Sequence, residues 1–445
     1  MTSSERVLVG FDGGAHHDGT IWLRRAGDRP VLEVEAFLGG AELASGASRE
    51  LHGFGVTTGE DHSALLEAWA RARGAAEAAR AGEPYQVGWC SWYHYFGAVT
   101  EADLVANLAR AEAWPFDVFQ LDDGYQPTIG DWLATNERFP SDLDAIATRI
   151  AAAGRRPGIW VAPFVARPDA PVAVRHPEWV ARHAPSGREL IGVWHPDWGG
   201  PTHVLDTTNP AVLDWLEDVA RSLVEAGFTY LKLDFTFAPA ADGVYQDPTR
   251  TPAERVRAGY DAIRRGAGPD TFLLGCGAPL GSTIGAVDGM RIGADVAPHW
   301  SLRDDQYRPG PYETAEPATV NGWRNTLARS FMHRSLWLND PDCVMLRRSA
   351  TRMGADAIAT WARAVGVSGG MALVSDDLAL LDDEARALLD EVIELGRASD
   401  AEARAGAPAR CPDLIDAALP TRLRVGATEL VADPAAATSR LGSLG

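Results

Sequence analysis

Lysine occurs once in this chain, at position 232, although Lys and Arg together number 41. It stands two residues before Asp234 in the apolar run Tyr230-Leu231-Lys232-Leu233-Asp234-Phe235. On a β-strand that spacing aims both side chains at the same face. A compact ammonium is not interchangeable with a guanidinium beside an acid. Its charge also favours the ionised carboxylate that a nucleophile must present. The plainer reading is a strand-end ion pair that happened to keep its lysine.

A second carboxyl, Asp295, follows the apolar run Gly289–Gly293, and Asp122-Asp123 closes the run Asp117–Leu121. The expected working pair is Asp234 with Asp295: one ionised, the other keeping its proton because the first charge disfavours a second ionisation. Arg291 works against that, since a nearby cation favours the ionised form, so it is expected to face sugar hydroxyls or to balance Asp234. Asp122 and Asp123 offer four acceptor oxygens, suited to adjacent hydroxyls or, more simply, to a loop network. Asp340 and Asp342 read as a turn and cap, because Asp-Pro-Asp is turn sequence. Trp92, Tyr93 and Trp160 also fall at strand ends, as flat apolar walls or as core filling. Paired carboxylates between aromatic walls are the equipment of glycoside hydrolysis.

Other chemistries lack their parts. The strand ends carry no histidine, and no HxH, HExxH or CxxC spacing occurs, so neither a metal nor a cofactor is expected. Cys90, Cys276, Cys343 and Cys411 are too scattered for a disulfide framework and suit a reducing cytoplasm. No GxSxG elbow appears where a helix begins, and Gly275-Cys276-Gly277 runs into Ala-Pro rather than opening a phosphate-binding helix. Net charge is −20 without a basic block, which argues against nucleic-acid or anionic-membrane partners and leaves a small molecule. The apolar stretch 357–374 contains Arg363 and a glycine pair, so it is not read as a membrane span. Met1 to Arg6 lacks the pattern of a secretory signal.

The elements that must position these groups follow from periodicity. From Tyr85 onward, apolar strand candidates alternate with helices: Gln86–Trp92, Asp117–Leu121, Gly158–Pro163, Tyr230–Phe235, Thr271–Cys276, Gly289–Gly293, Ser335–Leu338 and Met371–Val374. Eight such pairs predict an α/β fold, a (β/α)8 TIM barrel over residues 85–400, with active groups at the C-terminal strand ends. Thr100, Ser141, Asn209-Pro210 and Thr251-Pro252-Ala253-Glu254 read as helix starts. The loop 165–209 exceeds a plain connection and is expected on the active face. Residues 1–60 predict short strands of a reduced β-sandwich-like segment, 61–84 a linker helix, and 401–445 a short C-terminal β segment with at most two strands.

The motifs Gly88-Trp89-Cys90-Ser91-Trp92-Tyr93, Gln120-Leu121-Asp122-Asp123-Gly124-Tyr125, Trp160-Val161-Ala162-Pro163-Phe164, Leu231-Lys232-Leu233-Asp234-Phe235, Gly275-Cys276-Gly277, Met290-Arg291-Ile292-Gly293-Ala294-Asp295 and Leu338-Asn339-Asp340-Pro341-Asp342 stand in that order. Together they resemble the α-galactosidases of glycoside hydrolase family 36, over about residues 85 to 400. The resemblance implies Asp234 as nucleophile and Asp295 as general acid/base of a retaining double displacement, with carboxyls roughly 5 to 5.5 Å apart. It implies that Asp122 and Asp123 hold the galactose 4- and 6-hydroxyls, and that Trp92, Tyr93, Trp160, Lys232, Cys276 and Arg291 line the remaining pocket. The implied substrates are small galactosides of the melibiose or raffinose type. Galactosyl transfer to another sugar, α-N-acetylgalactosaminidase specificity and a catalytically silent sugar-binding protein are the alternatives. The resemblance also implies larger flanking sheet domains than this chain has room for.

Overall fold

Buried strands of a parallel barrel are covered on both faces, which is why they read as unbroken apolar runs rather than alternating ones. The computed structural model, which describes residues 5–302 and 313–443, contains eight of them. These are β1 (Val87–Cys90), β2 (Val118–Leu121), β3 (Arg156–Val161), β4 (Tyr230–Leu233), β5 (Phe272–Gly275), β6 (Gly289–Arg291), β7 (Leu338–Asp340) and β8 (Ala372–Val374). They pair in parallel in chain order, and β8 returns to β1. Between β7 and β8 the Met371 N–H donates to the Asn339 carbonyl at 2.9 Å. The expected (β/α)8 barrel is thereby present.

Register decides which side chains meet. Lys232 on β4 lies level with Trp160 on β3 and Leu274 on β5. Arg291, at the end of β6, lies level with Asp340 of β7. One strand departs from the sequence reading: the seventh is Leu338–Asp340 rather than Ser335–Leu338. Arg334 takes a left-handed conformation with φ +63°, so the chain is still turning there. The polar-looking Asn339 and Asp340 are in fact buried strand residues.

Helix starts follow local chemistry. Thr251 and Glu254 close a capping box on Pro252–Ala267, Asn209 caps Pro210–Glu225, and Thr100 with Asp103 caps Glu101–Arg110. The start expected at Ser141 falls one residue later, where Asp142 caps Leu143–Ala152. The Ser141 hydroxyl is instead donated to Glu101 at 2.7 Å.

Helices Pro210–Glu225 and Pro252–Ala267 lie against each other through Gly266, where a Cβ would come within 2.0 Å of the Glu217 carbonyl oxygen. Backbone cannot yield as a flexible side chain does. Gly266→Ala is therefore expected to cost about 1–3 kcal/mol by overpacking. A thermal melt matching the parent would show that the helices separate freely.

The N-terminal stretch forms two separate two-stranded ladders. Arg6–Phe11 pairs with Phe54–Gly59, a strand the sequence reading did not mark, and Asp18–Ala26 forms a hairpin with Arg29–Phe37. The alternation at 31–37 predicts one covered face, yet Leu23 is 78% and Trp22 45% exposed. The linker helix runs His62–Ala76 with Asp61 as its cap. At the other end three antiparallel strands form, Arg422–Val425, Thr428–Asp433 and Thr438–Ser443; the third was not expected. They bury Leu423 and Leu430 beside helix Ala355–Ser368, whose Thr360 hydroxyl donates to the Ala437 carbonyl at 3.2 Å.

The long loop 165–209 is a small sheet of its own, ordered Val165–Ala166, Gly200–Val204, Ile191–His195. It delivers Trp198 to the carboxylate rim of the barrel. No helix among the described residues is long and apolar enough to cross a membrane.

Candidate active site

The C-terminal ends of the strands converge as the barrel requires. Asp234 lies one residue past β4, and its N–H extends the ladder to the Val161 carbonyl at 2.9 Å. Its neighbour Phe235 adopts φ +51°, a left-handed turn that ends the strand abruptly. That turn lets the Phe235 N–H donate to Asp234 Oδ1 at 2.7 Å. Trp160 Nε1 donates to Oδ2 at 3.0 Å, and the Cys276 thiol supplies a further bond. Burial alone would raise this carboxyl, but the Lys232 charge and these three donors outweigh it and hold Asp234 below the ordinary carboxylate range. Asp234 nevertheless remains partly exposed. It is an anion aimed by its neighbours and open to solvent.

Lys232 is not bonded to Asp234, as its spacing suggested; its Nζ meets Asp122 Oδ2 at 2.9 Å. Asp122 is buried, and the same oxygen accepts from Gln120 Nε2 at 2.5 Å and Cys90 Sγ at 3.4 Å. Burial pushes the ammonium to lose its proton, yet the adjacent Asp122 charge overrides this and keeps Lys232 well above the usual lysine value. Both spacing and register were right about the shared face. What they could not distinguish was which carboxylate the lysine would grip.

Asp123 accepts from Trp198 Nε1 at 2.8 Å and from Gln126 Nε2 at 2.5 Å. Burial raises its carboxyl above the ordinary range, partly opposed by these two donors. A cavity of about 200 Å³ opens beside it, lined by Trp92, Asp123, Gln126, Arg138 and Trp198 among others. The ring of Trp198 stands 4.8 Å edge-on from Phe235 and 6.2 Å from Trp160, and Trp132 meets Trp160 edge-on at 5.8 Å. Aromatic walls thus flank the carboxylates.

Cys276 follows β5 directly, its N–H donating to the Leu233 carbonyl at 2.8 Å. Burial and the Asp234 charge raise its thiol well above the free value, so it stays a protonated donor. Gly277 has φ +54°, and a Cβ there would stand 3.3 Å from Asp234 Oδ1. Only glycine gives this carboxylate so close a backbone neighbour without strain.

Asp295 lies four residues beyond the end of β6, with its side chain 48% exposed. Arg291, expected to face sugar hydroxyls or to balance Asp234, is buried and bonds three other carboxylates. Its Nη1 bonds Asp295 at 2.8 Å, Nη2 bonds Asp342 at 2.7 Å, and Nε reaches Asp340 at 3.3 Å. Buried guanidinium seeks carboxylates in a fork, and strands β6 and β7 supply them. Asp340 and Asp342 are therefore more than a turn. Tyr93 is buried with its hydroxyl on Asp342, so it supports that network rather than presenting its hydroxyl to the opening. Trp92 is partly exposed on the cavity wall.

Sequence reasoning left two ends of this assembly unmarked. Trp198 belongs to no motif of the sequence reading; its place in the overlong loop 165–209 was the available signal. The buried Arg347–Asp376 pair, 2.6 Å apart, carried no local signal, although Arg347 Nη2 also holds the Tyr93 carbonyl at 2.9 Å. Among the described residues no group of His, Cys, Asp and Glu has the arrangement to hold a metal ion.

Residues 87–247 match the melibiase family model. Among curated proteins, α-galactosidase AgaA of Geobacillus stearothermophilus is 29% identical over 146 residues, covering 30% of this chain and 18% of that protein. α-Xylosidase XylQ of Lactiplantibacillus pentosus is 27% identical over 173 residues, covering 36% of this chain and 22% of that protein. The alignments thus span less than a quarter of those relatives' length. Among solved structures, TtGalA, an α-galactosidase from Thermus thermophilus in complex with p-nitrophenyl α-D-galactopyranoside, superposes with a TM-score of 0.76 at 28% identity. That match covers 97% of this chain and 79% of the other.

Fold, rim carboxylates and likenesses together make this chain similar to glycoside hydrolases built on a (β/α)8 barrel. Over residues 87–247 the likeness is to the melibiase type, and the resemblance of the motifs to the α-galactosidases of glycoside hydrolase family 36 stands.

Proposed function

We propose that this protein is a retaining α-galactosidase that removes terminal non-reducing α-D-galactose from small oligosaccharides of the melibiose or raffinose type. Asp234 attacks the anomeric carbon, the glycosidic C–O bond breaks, and Asp295 gives its proton to the leaving oxygen. Water then attacks the galactosyl ester on the opposite face, giving its proton to Asp295 and releasing Asp234. The observation that carries this reading is Asp234 itself: ionised, oriented by three donors and partly open at the barrel rim. Support comes also from the TtGalA complex, whose ligand is an aryl α-galactoside. Asp123 and the Lys232-anchored Asp122, at the end of the second barrel strand, are assigned to orient the sugar, and the Cys276 thiol is a donor to Asp234. The buried free thiols fit a reducing, cytoplasmic setting.

The test is turnover of p-nitrophenyl α-D-galactopyranoside followed by proton NMR of the sugar released. α-Galactose is expected to form first and to mutarotate afterwards. First-formed β-galactose would replace double displacement by inversion. Inertness toward the galactoside with turnover of the matching α-xyloside would move the specificity to that of the α-xylosidase relative. Neither product from a folded sample would leave a sugar-binding role only.

A further inference from the structure

One guanidinium between β6 and β7 is shared by three carboxylates, and the three are not equivalent. Asp295 is about half exposed, whereas Asp342 is 0% exposed at its side chain. Asp342 cannot touch a sugar. Even so, its oxygens are fully engaged: Oδ1 accepts from the Cys343 N–H at 2.6 Å and from Arg291 Nη2 at 2.7 Å. Oδ2 accepts from the Val296 N–H at 2.9 Å and from the Tyr93 hydroxyl. The turn itself needs little of this, because Asp340 Oδ1 already takes the Asp342 N–H at 2.9 Å.

Asp342 also sits at φ +91°, a conformation that costs a non-glycine residue of order 1–3 kcal/mol and persists where surroundings over-determine it. Two of its bonds converge on one short segment. Arg291 begins that segment and Val296 ends it, and Asp295 lies between them. No strand holds Asp295; its carbonyl takes the Ala318 N–H at 3.0 Å, and the two grips of Asp342 fix the segment on either side of it.

We propose that Asp342 is a positioning residue for Asp295: through the Val296 N–H and through Arg291 it holds the acid/base carboxyl in place and keeps a like charge beside it. This rests on the reading of Asp295 given above. The charged and titratable groups facing Asp342 are Arg291, Asp295, Asp340, Tyr93 and Cys343. Burial raises Asp342 to about 7, with Asp295 and Asp340 adding to the rise and Arg291 opposing it. Burial and the neighbouring Asp295 and Asp342 charges keep the Tyr93 hydroxyl protonated, as a donor. An ionised Asp342 is a like charge on the same guanidinium as Asp295, and a like charge disfavours the ionised form of a neighbouring carboxyl.

The experiment compares Asp342→Asn with the parent on two substrates, 2,4-dinitrophenyl α-galactoside, whose leaving group needs no proton, and melibiose, whose sugar leaving group does. With the anion gone, kcat/KM on melibiose is expected to fall about 30-fold or more, while the aryl substrate changes by less than about threefold. The basic limb of the melibiose pH profile is expected to move about one pH unit lower, because a like charge beside Asp295 is removed. Equal losses on both substrates with superimposable profiles would overturn the proposal and leave Asp342 a structural strut. Should Asp342→Asn not fold, Tyr93→Phe removes one donor to the same carboxyl and is expected to shift the limb in the same direction by a smaller step; an unmoved limb there overturns it equally. Asp295→Ala serves as the control: if it lowers melibiose turnover no more than aryl turnover, the assignment of Asp295 fails and this proposal falls with it.

Discussion

Asp234→Ala is expected to lower kcat on an aryl α-galactoside by about three orders of magnitude or more. It should leave the barrel folded, because the side chain is partly exposed and ends a strand rather than filling the core. The size follows from the absence of a substitute. Trp160 Nε1, the Phe235 N–H and the Cys276 thiol all point at this one carboxylate, and no other anion receives their combined donation. Removing it leaves three donors around a vacancy of small-anion size. Azide is therefore expected to restore turnover in the variant and to yield β-galactosyl azide, since an anion in the place of Asp234 attacks from the same face and no second displacement follows. Activity equal to the parent's would end the assignment. So would rescue giving the α-azide, because it would put the nucleophile on the other face.

How much of this was legible beforehand depends on whether the signal was local. Barrel strands announce themselves because burial on both faces selects continuous apolar runs, and Val118–Leu121 and Phe272–Gly275 are of that kind. Leu338–Asp340 is not: Asp340 meets Arg291, while the Asn339 side chain on the other face takes the Trp337 Nε1–H and its backbone N–H donates to His333. Polarity that reads as a loop was there the sign of a site. The Thr438–Ser443 strand, rich in small polar residues, owes its existence to pairing with Thr428–Asp433, a tertiary cause with no local imprint.

Within the site, parity placed Lys232 and Asp234 on one face. The lysine's choice of Asp122 needed the lateral order of β2, β3 and β4, which no spacing within one strand contains. Arg291 teaches the same point. Its neighbour in sequence, Asp295, was visible at four residues' distance, but Asp340 and Asp342 enter only because β6 and β7 pair in register. Motif order, by contrast, carried the class of protein, since seven short segments recur together where any one alone is uninformative.

Lys232→Met separates the two duties of the chain's only lysine. Its ammonium is buried against Asp122, and both side chains are almost without solvent. Removing one partner strands a buried charge, which is expected to cost roughly 3–5 kcal/mol of stability. The same change takes away the cation that offsets the burial of Asp234. The sign follows directly: a carboxyl held low by a cation rises when the cation goes, so the acidic limb of the pH–rate profile moves to higher pH, and kcat/KM at neutral pH falls by about two to three orders of magnitude. A second substitution resolves the two effects. Lys232→Met with Asp122→Asn removes both charges, and replacing both partners of a buried pair by neutral groups is far less costly than orphaning one. The double variant is therefore expected to regain most of the lost stability in chemical denaturation while remaining as inactive as the single one. Recovery of turnover along with stability would mean that the lysine acts only as a strut for Asp122 and that Asp234 draws its ionisation from hydrogen bonds alone. Undiminished stability in Lys232→Met would show instead that water reaches Asp122 and screens it, contrary to the buried ion pair on which the argument for this site depends.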